Sequence, residues 1–188
     1  NFMNQKKILM RKLIYGLGIF FALNLHAQGG GWKPELEKNS KEALNEMMER
    51  SPKLKTYYEK AYGYAIYPKI TKAGLGIGGA GGQGIVFRNH IAIGSSSLKQ
   101  ASFGLQAGGQ QYSEVIFFEN QKSFEHFTNG NLKFDAQASA VALTEGASYD
   151  VAYKNGVAVF TNVKGGLMLE ASIGGQHFSY KEGKKAEK

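Results

Sequence analysis

The spacing of apolar and polar positions changes several times along the chain, and each change marks a different kind of segment. From Leu13 to Leu25 apolar residues run on with only Gly16, Gly18 and Asn24 between them. Over 34–50 the apolar positions Leu36, Ala43, Leu44, Met47 and Met48 recur by threes and fours among Glu and Lys, which predicts an amphipathic helix. Ser51-Pro52 reads as an N-cap followed by a first-turn proline. The helix it opens would carry Leu54, Tyr57, Tyr58, Ala61 and Tyr62 on one face and end at Gly63.

After Gly63 the period drops to two. Strands are expected near 64–69, 73–79, 83–88, 91–96, 101–109, 113–118, 132–142, 148–153, 157–163 and 167–179, the last as one strand or two. Asn155-Gly156 is a two-residue hairpin signal, and Asn89-His90 is expected to turn another. One short helix interrupts near 120–128, with Asn120 as its cap, Phe124 and Phe127 on one face and Gly130 closing it.

Helices first and short strands afterwards define an α+β class. The expected architecture has N-terminal helices packed on a strongly bent, mostly antiparallel, glycine-rich β-sheet or small barrel, with one short helix inserted. Glycine supports the bending. Twelve of the 25 glycines lie between 63 and 109, where a glycine in a strand marks a bulge, a bend or a close backbone approach. Ala73-Gly74-Leu75-Gly76-Ile77, Ala101-Ser102-Phe103-Gly104-Leu105 and Ala171-Ser172-Ile173-Gly174-Gly175 share one pattern. The run Gly74–Gly79 matches a dinucleotide fingerprint in letters, but Gly82-Gln83-Gly84-Ile85 cannot open the helix that would meet a pyrophosphate.

Charge enters next. The formal net charge of +8 suggests nucleic acid until it is located. Residues 1–27 hold Lys6, Lys7, Arg11 and Lys12, no acid, the apolar run and small Ala27, which together form a secretory signal pattern. Met3 or Met10 is the expected start. Without 1–27, 19 basic residues face 15 acidic ones, a net +4. The expected organisation is a signal peptide at 1–27, a flexible leader at 28–33, one domain at 34–180 and a Lys-rich tail at 181–188. Export to the periplasm or beyond follows, with peripheral membrane association and no nucleic-acid partner. The chain has no cysteine, which removes disulfides, thiolate metal sites and the cysteine a bacterial lipid anchor requires.

Catalytic chemistry is thin. His90, His126 and His177 lack a second ligand at metal-motif spacing, and no pair of carboxylates is built for acid–base work. No catalytic residue, metal or cofactor is expected. Glu114 draws attention, because alternation puts it on one strand face with Ile116 and Phe118; a solvated face is the expected explanation. The remaining signal is basic and aromatic. Residues 52–72 carry Lys53, Lys55, Lys60, Lys69 and Lys72 against Glu59, together with half of the ten tyrosines. Lysines attract an anionic surface, and tyrosines suit a bilayer interface. The candidate lipid-binding residues are therefore Lys53, Lys55, Lys60, Tyr64, Tyr67, Lys69 and Lys72.

Three blocks add a resemblance. Ala61–Gly76 with Gly82–Val86, then Tyr112–Phe118 with Gln121–Phe124, then Ala158–Met168 with Ala171–Gly175, are similar in order to the SYLF domain over about 36–180. The resemblance implies a non-enzymatic lipid-binding module whose eukaryotic members bind phosphoinositides, some fungal ones also actin, and whose bacterial members are typically exported. Here export implies an anionic phospholipid or membrane surface as partner and no actin. Membrane binding in eukaryotic relatives involves an amphipathic N-terminal helix. Residues 34–50 carry five Glu against Lys38, Lys41 and Arg50, which makes 52–72 the better candidate. The alternative is an envelope assembly or scaffold protein that docks another protein on its curved sheet.

Overall fold

The computed structural model of the chain describes residues 32–134, 139–143, 152–163 and 170–183. Residues 1–27, expected to be a signal peptide, most of the expected leader, residues 184–188 of the expected tail and most of the strand expected at 148–153 lie outside the described residues.

Helix α1 (Pro34–Arg50) has the predicted bounds, with proline in its first turn and Glu35 and Glu37 favourably placed at its N-terminal end. Helix α2 (Leu54–Lys60) begins later than expected. Ser51 accepts from the Leu54 amide, so Ser51-Pro52-Lys53 forms a turn ahead of the helix rather than its cap and first residue. Helix α3 (Gln121–Thr128) is capped as predicted. The Asn120 side chain accepts from the Ser123 amide at 3.0 Å in a capping box, and Gly130, at φ +73°, ends the segment.

The six short strands expected between 64 and 118 are two long ones, β1 (Gly63–Arg88) and β2 (Ile91–Phe118). They form one antiparallel ribbon around the Asn89-His90 turn, with register shifts at Tyr67/Ile70, Gly74/Gly76 and Val86/Phe87. Glycine bends a strand without ending its hydrogen-bond ladder, so the expected breaks are bends. Gly74 stands opposite Gly108 and Gly76 opposite Gly104, which sets two of the three similar segments across from each other. Further strands are β3 (Ser139–Ala142), β4 (Val157–Val163), β5 (Glu170–Ser172) and β6 (Gln176–Glu182). The 167–179 segment thus resolves into two strands. Asn155 and Gly156 take φ of 53° and 77°, the left-handed pair of a tight hairpin loop.

The described strands form one sheet, ordered β1-β2-β4-β3-β5, with β6 on β2 as well. Strand β2 is the spine. One edge pairs with β1, while the other holds β6 along 94–100 and β4 along 112–118. The β3–β4 pair is parallel and every other named pair antiparallel. The sheet does not close into a barrel among the described residues.

The bending brings the two ends of β1 together. A Cβ on Gly82 would lie 2.8 Å from the Lys69 carbonyl oxygen and 2.9 Å from Ile70 Cγ1, and one on Gly84 would meet Ile66 and Tyr67. Gly63 was expected to end a helix, yet it opens β1. A Cβ there would lie 2.6 Å from the Phe124 ring and 2.8 Å from the Phe87 carbonyl oxygen, so the missing side chain leaves room for both.

Two apolar clusters lie on the sheet's two faces. On one, α1 and α2 bring Ala43, Leu44, Met47, Leu54 and Tyr57 against Ile66, Phe87, Val115, Phe117 and Phe160. On the other, Phe124 and Phe127 of α3 meet Tyr67, Ile116, Phe118 and Phe178 inside the fold of the sheet. Residues 115–118 read as a continuous apolar run because both faces of β2 are covered there.

Candidate functional site

The basic–aromatic segment spans α2 and the start of β1. Tyr57 faces inward, its ring 4.9 Å from Phe160 and 6.0 Å from Phe117, and this contact seats α2 on the sheet. Lys55 and Lys60 occupy the outer positions and are exposed. Lys55 stands 4.0 Å from Glu59, a solvent-exposed pair that stabilises little. Lys53 is half-buried in the turn before α2. On β1, Lys69 is exposed beside the first register shift, and Lys72 is half-buried.

The tyrosines part from the lysines. Tyr64 and Tyr67 were candidates for an interface, and the structure places both in the core. Tyr64 stacks on Phe87 at 5.0 Å, and Tyr67 is fully buried with its hydroxyl 2.7 Å from Ser96 Oγ. Burial pushes both phenols up from their ordinary value. Two ladder residues on a sheet covered on both faces cannot also face a membrane, so neither is a headgroup contact in this fold. The half-buried Tyr58 and Tyr62 flank this segment, Tyr58 packing on Tyr64 at 5.5 Å and Tyr62 on Phe124 at 5.7 Å.

Glu114 is the second feature, and the expectation of a solvated face is overturned. The residue is fully buried toward the C-terminal end of β2, opposite Tyr67 of β1 and Thr161 of β4. Its face is the one alternation assigned to it, but that face lies inside the bent sheet. Gln176 of β6 donates to its Oε2 at 3.1 Å, while Oε1 has no partner. Burial pushes the carboxyl up to about 8, and the Gln176 bond only partly offsets this. Tyr67 and Tyr112 are raised in turn, first by burial and also by the nearby Glu114. The buried oxygens without partners also include Gln176 Oε1 and Thr161 Oγ1. A protonated Glu114 supplies a hydrogen-bond donor to this oxygen-rich cluster.

The third feature was not read from the sequence as a site. At the β1–β2 turn, Arg88, Asn89, His90 and Ile91 are all exposed, and Ile91, at 67%, is the exposed large hydrophobic among the described residues. The His90 ring lies 4.4 Å from Tyr58 of α2, and its Nδ1 is 3.4 Å from the Tyr64 hydroxyl. The turn therefore stands beside the basic helix. A short turn predicts a hairpin tip, but only the fold shows which helix it meets.

Among the described residues, no group of three or more His, Cys, Asp or Glu could hold a metal ion. The Gly74–Gly79 run lies inside β1 and leads into more strand. No described helix is long and apolar enough to cross a membrane.

The described residues thus form a helix-covered, strongly bent sheet with exposed lysines on α2 and the start of β1. Residues 99–186 match the family model Ysc84, described as Las17-binding protein actin regulator. The match takes in the second and third of the motif blocks that are similar to the SYLF domain, at 112–124 and 158–175. The chain is also similar to Beta cell expansion factor A of Aeromonas veronii, at 28% identity over 155 residues. The similarity covers 77% of this chain and 59% of that protein, so the chain spans less than two thirds of that relative's length.

Proposed function

We propose that the protein is a non-enzymatic lipid-binding module of the bacterial cell envelope, exported by the 1–27 segment, and that it touches anionic phospholipid headgroups through Lys53, Lys55, Lys60, Lys69 and Lys72. The observation that carries this is the division of labour within 52–72. The aromatic residues seat the segment on the core, while Lys55, Lys60 and Lys69 are left to solvent. Four of the mature chain's net positive charges fall in this segment, and 28–51 and 73–180 each sum to −1.

Co-sedimentation with phosphatidylglycerol-containing vesicles tests the reading. Each lysine near such a surface contributes about 1 kcal/mol, so Lys69→Glu combined with Lys72→Glu should weaken binding by at least roughly thirtyfold. Unchanged sedimentation would remove the charge mechanism. A second reading, a scaffold that docks a protein on its curved sheet, draws on the protein partner in the family's description. Phospholipid co-purifying with the protein favours the first reading, and an envelope protein captured without lipid favours the second.

A further inference from the structure

The β1–β2 turn is a two-residue hairpin loop that packs against α2. Asn89 and His90 take φ of 49° and 62°, so both residues of the loop are left-handed. Asparagine and histidine are both enriched among the non-glycine residues of that region, and a left-handed pair is the favoured form of a two-residue hairpin. Side-chain contacts fix where this loop sits. Here the holders are Tyr58, whose ring lies 4.4 Å from that of His90, and Tyr64, whose hydroxyl lies 3.4 Å from Nδ1. The tip is pinned to α2.

The pinned turn presents Ile91 next to Arg88, its partner across the ladder, both exposed. A single exposed isoleucine is ordinary. This one opens β2 directly after the turn, beside an arginine, and the helix on which the turn packs displays Lys55 and Lys60. Acids near the turn or α2 include Glu59, paired with Lys55, Glu182 of β6, which shares the surroundings of Tyr180 with Arg88, and Glu119, which acts on Tyr153 beside Tyr57 of α2. The exposed cations of the turn and of α2 are Arg88, Lys55 and Lys60. An exposed apolar side chain beside an arginine, with lysines on the adjoining helix, matches an anionic bilayer, where the cations meet headgroups and the hydrocarbon enters the layer beneath.

We propose that the Arg88–Ile91 turn is an insertion tip, with Ile91 entering the interfacial zone of an anionic bilayer while Arg88 and the α2 lysines hold the headgroups. This rests on the lipid-binding reading and adds residues and an orientation to it: the molecule stands on α2 and the turn, with α3 directed elsewhere.

The chain's lack of cysteine allows a direct test, because one introduced thiol takes a label uniquely. The full chain carrying Ile91→Cys, and separately Lys122→Cys on α3, is labelled with an environment-sensitive fluorophore and mixed with phosphatidylglycerol–phosphatidylcholine vesicles. Sedimentation is followed in parallel. The expected result is a blue-shifted, brighter label at position 91 and an unchanged one at 122. Ile91→Glu should weaken sedimentation on the order of tenfold, the worth of one lost apolar insertion. A label at 91 that stays in water while the protein still sediments would overturn the tip and leave the lipid reading standing. Failure of the unsubstituted protein to sediment would overturn both. A signal at both positions would overturn the orientation.

Discussion

Glu114 shows what a single position can conceal. Alternation along Tyr112–Phe118 assigned it correctly to the face of Ile116 and Phe118. A period of two names a residue's face but not what covers that face. The cover comes from Gln176 on β6, 62 residues away in sequence, and from the bending of β1 over β2. Tyr64 and Tyr67 were misplaced for the same reason, since a tyrosine's polar tip looks alike in sequence whether it meets water or a buried Ser96. The buried carboxyl has a consequence for stability. Its value rises from 4.5 to about 8 on folding, so between those values the folded protein holds a proton that the unfolded chain has released. Its contribution to stability should therefore fall as pH rises from about 4.5 to 8 and level off above. Urea unfolding at pH 5 and pH 8 checks this. Glu114→Gln, neutral at every pH and able to accept from Gln176, should flatten the fall and stabilise the fold at pH 8 by up to a few kcal/mol. An equally steep fall in that variant would show that other groups carry it.

At the scale of elements, those that depend on local chemistry were legible. The bounds of α1, the Asn120 cap of α3 and both tight turns follow from residue types within a few positions of one another. Asn120→Ala should cost about 1 kcal/mol in thermal or urea unfolding, the usual cost of a lost cap. What could not be read was the continuity of β1 and β2, because glycine weakens a strand signal whether the chain stops or only bends. The glycines are better explained by what approaches them. Gly82→Ala would drive a methyl into the Lys69 carbonyl, and backbone cannot swing aside, so a loss of about 1–3 kcal/mol is expected. Gly109→Ala meets nothing closer than 3.9 Å and should change stability by less than about 0.5 kcal/mol. Equal losses at the two positions would mean that the close crossing of β1 does not hold the fold.

For the whole molecule, the charge separates as the sequence indicated. The helix that covers most of the sheet's outer face, α1, bears Glu35, Glu37, Glu42, Glu46 and Glu49, two of them engaged by Lys38 and Lys41 one turn away. The basic residues gather instead on α2, on the start of β1 and at the β1–β2 turn. The lysines of this site were readable from composition alone. Its turn was not, because Arg88–Ile91 joins α2 only through the packing of His90 on Tyr58. A molecule with one acidic side and one basic end has a preferred way to meet an anionic surface, and the field that orients it is screened by salt.

The most direct measurement is the partitioning of the full chain onto vesicles of increasing phosphatidylglycerol content, at low salt and again at about 0.5 M, where the screening length falls well below 10 Å. The expected result is binding that climbs with the anionic fraction, is weak on pure phosphatidylcholine and drops sharply at the higher salt. Equal partitioning on neutral and anionic vesicles, or binding indifferent to salt, would contradict recognition of anionic headgroups by the basic end.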